Sequence, residues 1–240
     1  MKRKNSSTKK VDFDNYSLNY RDVLKKSLGY FGKNDEFFDK LKLFYIEKWA
    51  IKYSEVSEVK DILEFGCGIG KLASLLAKKF PHANVYGYDQ SKKSLAVAKE
   101  ENIRNKNISF GDELLEIKKF DLIVISNVFH HIPHKERVPT LTFLKELLKG
   151  KGKIIIFEHN PLNPLTCFIV KICPFDVDAE LISRYKFIKT AKSCNLKVIN
   201  KMYILFTPWS LTIFRCLERF LHQIPLGAQY MLLLEKKEEI

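Results

Sequence analysis

The sequence predicts one α/β domain, a seven-stranded, mostly parallel sheet with helices on both faces. Three observations carry this. Short apolar runs alternate with helical patterns from Asp61 onward: "DILEF" then "KLASLLAKKF", "NVYGYD" then "SKKSLAVAKEEN", "FDLIVISNVF" then "TLTFLKELLK". The runs are near-continuously apolar, as strands are when helices cover both faces of a parallel sheet. The chain has 240 residues, 46% hydrophobic and 29% charged, which suits one well-buried core.

Each element has its own local reason. The opening "MKRKNSSTKK" is basic and polar with no apolar stretch behind it, so it does not read as a secretory leader. Residues 1–33 read as a solvated basic tail and lead-in, or as an electrostatic tether to an anionic surface. Asn34 or Asp35 can cap a helix to about Tyr53, with Phe38, Leu41, Ile46, Trp49 and Tyr53 roughly at helical spacing. This segment, 34–55, is expected to lie over the domain as a lid or extra layer. "KLASLLAKKF" stops at Pro81, Ser91 caps the next helix, and "NISF" is a short strand before Gly111 and Asp112. "TLTFLKELLK" is entered through Pro139 and stopped by Gly150, and "KIIIFEH" is another buried strand.

After His159 the rhythm breaks. "NPLNPLTCFIVKICPFDVD" is a long insertion, residues 160–180 in outline, with three prolines before Phe175. Ser183 caps a helix from Arg184 to Ser193, and Asn195 is its left-handed stop. "LKVINKMYIL" and "AQYMLLLEK" close the sheet. Between them, Thr207 and Pro208 open a helix whose Trp209, Ile213, Leu217 and Phe220 oppose Arg215, Arg219 and His222. It packs on its own domain or lies on a membrane surface. No uncharged apolar run reaches the roughly 18 residues that a spanning helix needs.

The net charge is +13. It favours anionic partners, namely nucleic acid, phosphorylated metabolites or an acidic membrane face, although the lysines are spread as on many soluble surfaces. The five cysteines (Cys67, Cys167, Cys173, Cys194 and Cys216) are odd in number and form no C-x-x-C pair. Neither a disulfide framework nor a zinc knuckle is indicated, no metal is expected, and a reducing cytoplasm fits.

The chemistry concentrates first in "EFGCGIG", Glu64 to Gly70, between a strand and a helix. Glycines let a backbone turn tightly and approach a ligand, and the following helix offers free N–H groups. The arrangement suggests a nucleotide-like cofactor at the carboxyl end of the sheet. A dinucleotide loop, G-x-G-x-x-G, wants a small residue where Lys71 stands, and a P-loop is absent. Glu64 would repel phosphates, whereas a cofactor carrying an ammonium and a sulfonium would tolerate or welcome it.

Four features in order then carry a resemblance. They are "EFGCGIG", Asp89 ending "VYGYD", Gly111-Asp112, and "FDLIVISNVFHHI" followed by "LLKGKGKIIIFEH". Across Asp61 to Glu158 the sequence resembles the class I S-adenosylmethionine-dependent methyltransferases, of the small-molecule type that includes quinone-biosynthesis enzymes. The resemblance implies a Rossmann-like fold with the last strand antiparallel. It implies S-adenosylmethionine as cofactor and S-adenosylhomocysteine as product. Gly66, Cys67, Gly68 and Gly70 would approach the amino-acid half of the cofactor, and Glu64 would act on it through water or the loop backbone. Asp89, with Gln90 beside it, would hold the ribose hydroxyls, and Asp112 the adenine amine. Ser126 and Asn127 would flank the cofactor at the end of the fourth strand. The local alternatives are a strand-ending turn at Asp89 and a helix cap at Asp112.

Methyl transfer is a direct displacement, so a protein mostly orients reactants and excludes water. A base is needed only if the acceptor must lose a proton, and a neutral imidazole suits that task. His131 is the first candidate, with His159 and His130 behind it; all three fall at the predicted carboxyl edge of the sheet. The alternative is that these rings satisfy loop backbone groups. Glu158 and Asp176 are further polar groups near the expected acceptor pocket. The insertion Asn160 to Asp178, with Phe168, Ile169, Ile172 and Phe175, is expected to line that pocket.

The acceptor expected is small or lipid-linked and offers a hydroxyl. A nucleic-acid substrate is disfavoured, since "SNVF" stands where amino-methylating enzymes carry N/D-P-P-Y/F/W and only the reversed Cys173-Pro174 appears. Ribose methylation of RNA stays open. A non-catalytic interaction protein is opposed by the intact Glu64, glycines and Asp89. The expected location is the cytoplasm, with peripheral contact to an anionic membrane as an option.

Overall fold

The structure, a computed structural model, describes residue 14 and residues 35–53, 59–114, 118–206 and 220–237. The elements run α1 (Asp35–Tyr53), β1 (Asp61–Phe65), α2 (Lys71–Lys79), β2 (Asn84–Tyr88), α3 (Lys92–Glu101), β3 (Ile108–Gly111) and β4 (Phe120–Ser126). A 3₁₀ turn (Phe129–His131) follows, then α4 (His134–Glu146), β5 (Leu148–His159), α5 (Pro164–Ile172), α6 (Arg184–Ser193), β6 (Leu196–Ile204) and β7 (Gln229–Lys236). The seven strands lie in the order β3-β2-β1-β4-β5-β7-β6. β7 runs antiparallel to both β5 and β6, and the other neighbours pair in parallel.

Strand alternation sorts the core into two layers. Ile62, Val85, Val124, Ile155 and Leu233 face α1, α2 and α3, where they meet Ile46, Leu76 and Leu95. Leu63, Ile123, Ile125, Ile154 and Leu232 face the other side with Leu141, Leu144 and Phe187 of α4 and α6. Each fully buried Leu or Ile contributes about 1.5–3 kcal/mol, so these two layers hold the sheet. α1 buries Leu41, Tyr45, Ile46 and Trp49 in the same cluster as Leu72, Ala73 and Leu76 of α2. The sheet changes winding direction between β1 and β4, and that places a crevice at their carboxyl ends.

Local signals account for the element ends. Ser91 accepts from the Ser94 N–H at 3.1 Å and starts α3. Ser183 caps α6, and Asn195 leaves it at φ 56°. Two expectations are corrected. The helix expected from Thr140 begins at His134 and contains Pro139, and Gly150 lies within β5 instead of ending a helix. Pro133 and Glu136 set the entry, and Pro139 comes early enough that it removes a single backbone bond. The insertion is also more ordered than a prolyl loop. Asn163 accepts from the Thr166 N–H at 2.9 Å, and Pro164 takes the first helical position of α5. The basic tail and residues 207–219 of the expected amphipathic helix lie outside the described residues. Among the described helices, none is long and apolar enough to cross a membrane.

Candidate active site

The loop after β1 turns on left-handed glycines. Gly66 (φ 77°) lies against Val128, which a Cβ would overlap, whereas Gly68 (φ 53°) has, among the described residues, nothing within 4 Å of where its Cβ would be. The described residues therefore leave room beside the backbone at Gly68. The Gly66 and Cys67 N–H groups donate to Tyr88 O at 2.8 and 2.9 Å and tie the loop to β2. The Cys67 side chain is buried, and burial pushes its thiol well above the ordinary range, so this residue meets the crevice through its backbone.

Asp89 stands at the end of β2. Its Oδ2 accepts from the Gly68 N–H at 2.7 Å and its Oδ1 from the Ser91 N–H at 2.9 Å. Burial lifts this carboxyl above its usual value against the pull of those bonds. A carboxylate offers about four acceptor positions, so capacity remains for hydroxyls. Gln90 and Asp112 are exposed, and Lys92 Nζ lies 3.5 Å from Asp112. Ser126 and Asn127 are half-buried at the end of β4, where Asn127 takes φ 56° and its Oδ1 accepts from Gln229 Nε2 at 3.2 Å.

Glu64 sits one residue before the end of β1 and is 3% exposed. Its Oε2 has no hydrogen-bond partner among the described residues. Burial first, and then the charge of Asp39, raise its carboxyl well above the ordinary range, while Lys42 pulls it back. Both of those neighbours come from α1, so this helix closes over the glutamate.

The second half of the site is a histidine and carboxylate cluster. Glu158, buried at the end of β5, accepts from the Val128 and Phe129 N–H groups at 3.0 and 2.7 Å through Oε1. Its Oε2 accepts from His130 Nδ1 at 2.7 Å. His131 Nδ1 contacts Asp178 Oδ1 at 3.1 Å, and the Nε2 atoms of both histidines lie 3.4 Å from Asp176 Oδ1. The His159 ring centroid is 5.1 Å from that of His130.

These contacts set the charges. Burial works against a charged His130, but Glu158 and Asp176 outweigh it and raise His130 to about 9. His130 therefore holds its proton at neutral pH and is no proton acceptor there. Burial and the His130 charge together push His159 down to about 4, so it is neutral. Burial opposes the Asp176 carboxylate, yet its contacts with His130 and His131 hold it far below the usual range. The three histidines expected at the sheet edge thus do converge, in three different environments. Asp178 was not anticipated; the signal available was the paired acids of "FDVD" beside a double histidine.

The glycine loop, the acid ending β2 and the crevice between β1 and β4 are the features of class I methyltransferases, and residues 63–154 match the family described as "Methyltransferase domain". This region is thus similar in sequence to methyltransferase domains. A demethylmenaquinone methyltransferase of Thermotoga maritima is 31% identical over 122 residues, 48% of this chain and 52% of that protein. Malonyl-[acyl-carrier protein] O-methyltransferase 2 of Ilyobacter polytropus is 30% identical over 132 residues, 52% of this chain and 50% of that one. The chain thus matches about half the length of these relatives. The solved structure of a magnesium protoporphyrin IX methyltransferase from Synechocystis PCC 6803, with bound S-adenosylhomocysteine, superposes with a TM-score of 0.65 at 16% identity. It covers 94% of this chain and 100% of that one, a likeness of fold.

Proposed function

We propose that this chain binds S-adenosylmethionine at the carboxyl ends of β1, β2 and β4 and transfers its methyl group to a hydroxyl of a small or lipid-linked acceptor. One observation carries the cofactor reading: the buried Oε2 of Glu64, at the strand end that leads into the glycine loop, has no hydrogen-bond partner among the described residues. An ammonium group would satisfy that oxygen, and a phosphate would be repelled by it. Asp89 would take the ribose hydroxyls, and Asp112 and Asn127 would border the ligand. The bound cofactor supplies an electrophilic methyl on a sulfonium. The protein's share is to orient the two reactants, exclude water and receive a proton.

The acceptor reading rests on the insertion. Leu162, Leu165, Phe168 and Ile172 on and beside α5 are exposed, as are Ile224 and Leu226. Asn163 Nδ2 donates to Leu226 O at 2.6 Å, which holds the two segments side by side. An apolar surface of this kind beside a polar cluster fits a ligand with a hydroxyl head and a hydrophobic body. His131, partly exposed and backed by Asp178, is the group assigned to receive the hydroxyl proton.

A tritiated-methyl assay over lipid, glycan, quinone and RNA fractions tests this reading. Label is expected in organic-extractable material. Label confined to RNA would overturn the acceptor class, and no thermal shift with millimolar S-adenosylmethionine would overturn the cofactor.

A further inference from the structure

His130 Nε2 and His131 Nε2 converge on a single oxygen, Asp176 Oδ1, each at 3.4 Å, and the three atoms lie within 4.8 Å of one another. We propose that His130, His131 and Asp176 form a binding site for a divalent first-row transition metal, with Zn²⁺ the best match. The existence of this site does not depend on the acceptor; its role in activating a hydroxyl rests on the methyl-transfer reading.

The distances carry the first argument. Charge-assisted N–H···O⁻ bonds settle at about 2.7–2.9 Å, and these two contacts are longer. A tetrahedral ion with bonds of about 2.0–2.1 Å separates its ligand atoms by roughly 3.4 Å.

The backing of the ligands is the second argument. Metal-binding histidines almost always donate their other ring N–H to a carboxylate or carbonyl, which turns the free nitrogen toward the ion. Both histidines do so here, His130 Nδ1 to Glu158 at 2.7 Å and His131 Nδ1 to Asp178 at 3.1 Å. Glu158 is in turn held by the Val128 and Phe129 N–H groups, so His130 is pinned to the end of the sheet.

Access is the third. The His130 side chain is 1% exposed, while those of His131 and Asp176 are 16% and 13% exposed. The ion would be gripped from below, with a fourth position facing the crevice. Three protein ligands and one open position are the usual form of a catalytic zinc site. Two imidazoles and one carboxylate, without sulfur, suit zinc, iron or nickel and do not suit magnesium, which takes oxygen ligands. Coordination displaces the Nε2 proton of His130, so metal and proton compete. An acceptor hydroxyl in the open position would ionise more easily and release its proton to water, with the ion taking over the part of His131.

The test reads metal directly, without methyl transfer. The full chain, stripped with chelator, is titrated with Zn²⁺ by calorimetry and with Co²⁺ by visible absorption. One equivalent is expected, with the intense absorption of tetrahedral Co²⁺. Asp176→Asn and His131→Gln should each weaken binding by about 100-fold or more, and Asp178→Asn by about 10–100-fold, because it only orients a ligand. His134→Gln, an exposed histidine of α4 outside the cluster, should bind as wild type. Thermal melts separate lost ligation from lost folding; if Asp176→Asn fails to melt cooperatively, the affinities of Asp178→Asn and His131→Gln decide the question. No saturable binding below about 1 mM, or unchanged affinity in the folded ligand variants, would overturn the site. Metal binding with no response to S-adenosylmethionine would leave this site standing and remove the cofactor reading.

Discussion

Glu158 joins two parts of the site with one carboxylate: Oε2 accepts a hydrogen bond from His130 Nδ1 at 2.7 Å, and Oε1 accepts from the backbone N–H groups of Val128 and Phe129. Burial disfavours a charge on this group, but His130 beside it outweighs burial and keeps the carboxyl below its usual range. Glu158→Gln removes the charge and leaves buried His130 with only the more distant carboxylate, Asp176, opposite it. The expected cost is roughly 3–5 kcal/mol, a fall in Tm of about 6–20 °C by calorimetry. Glu113→Gln, on the exposed surface, should stay within about 0.5 kcal/mol of wild type.

Gly68→Val separates folding from cofactor binding. The added Cβ meets no atom of the described residues within 4 Å, but the residue must adopt a left-handed backbone, at a cost of about 1–3 kcal/mol. The same side chain would fill the space proposed for the ligand. A folded variant is therefore expected to lose the stabilisation of about 2.7 kcal/mol that wild type gains at 100 times its Kd for S-adenosylmethionine. A full thermal shift in Gly68→Val would move the ligand elsewhere.

Glu64 gives a pH dependence with a defined sign. Its folded carboxyl titrates well above the unfolded value of 4.5, so the folded chain binds the extra proton. This group therefore costs the apoprotein stability as pH rises above about 4.5, up to its folded pKa. Glu64→Gln should raise the apoprotein Tm at pH 7–8 by about 2–4 °C for each kcal/mol recovered, and the gain should vanish near pH 4. The same variant should bind S-adenosylmethionine about 10-fold more weakly, as read by calorimetry, because the ammonium loses its carboxylate.

Leu165→Ser with Phe168→Ser tests the apolar surface of α5. Both side chains are about half exposed, so the melting temperature should change little. Losing contact with an apolar acceptor should raise KM for lipid-linked substrates about 10–100-fold with kcat little changed. Equal KM values would place the acceptor's hydrophobic body elsewhere.

The sequence made the cofactor half legible because its signals are local. A strand, three glycines and an acid ending the next strand need only short-range geometry, and the structure keeps Glu64, Gly68 and Asp89 together. The α4 boundary was missed because Pro139 looks like a helix start when tertiary packing on Leu141 and Leu144 holds a longer helix around it. α5 was missed because prolines hid the Asn163 cap. The histidine cluster was half legible. The strand ends brought His130, His131 and His159 to one edge, but Asp178 reaches His131 across 47 positions of chain, and no periodicity reports that.

Asn160 is fully buried, and its side-chain amide donates to the carbonyls of Pro225 and Gly227 at 3.0 and 2.8 Å. The wall proposed for the acceptor is thus stitched from two stretches of chain more than sixty positions apart. Neither stretch can be exchanged alone. A chimera that imports residues 160–180 from a relative with no asparagine at the first position would leave the Pro225 and Gly227 carbonyls without their amide donor, whereas one that imports residues 222–228 as well would bring a matched seam. Substrate preference in this scaffold should therefore be inherited, and engineered, as a paired cassette grafted onto an unchanged cofactor half.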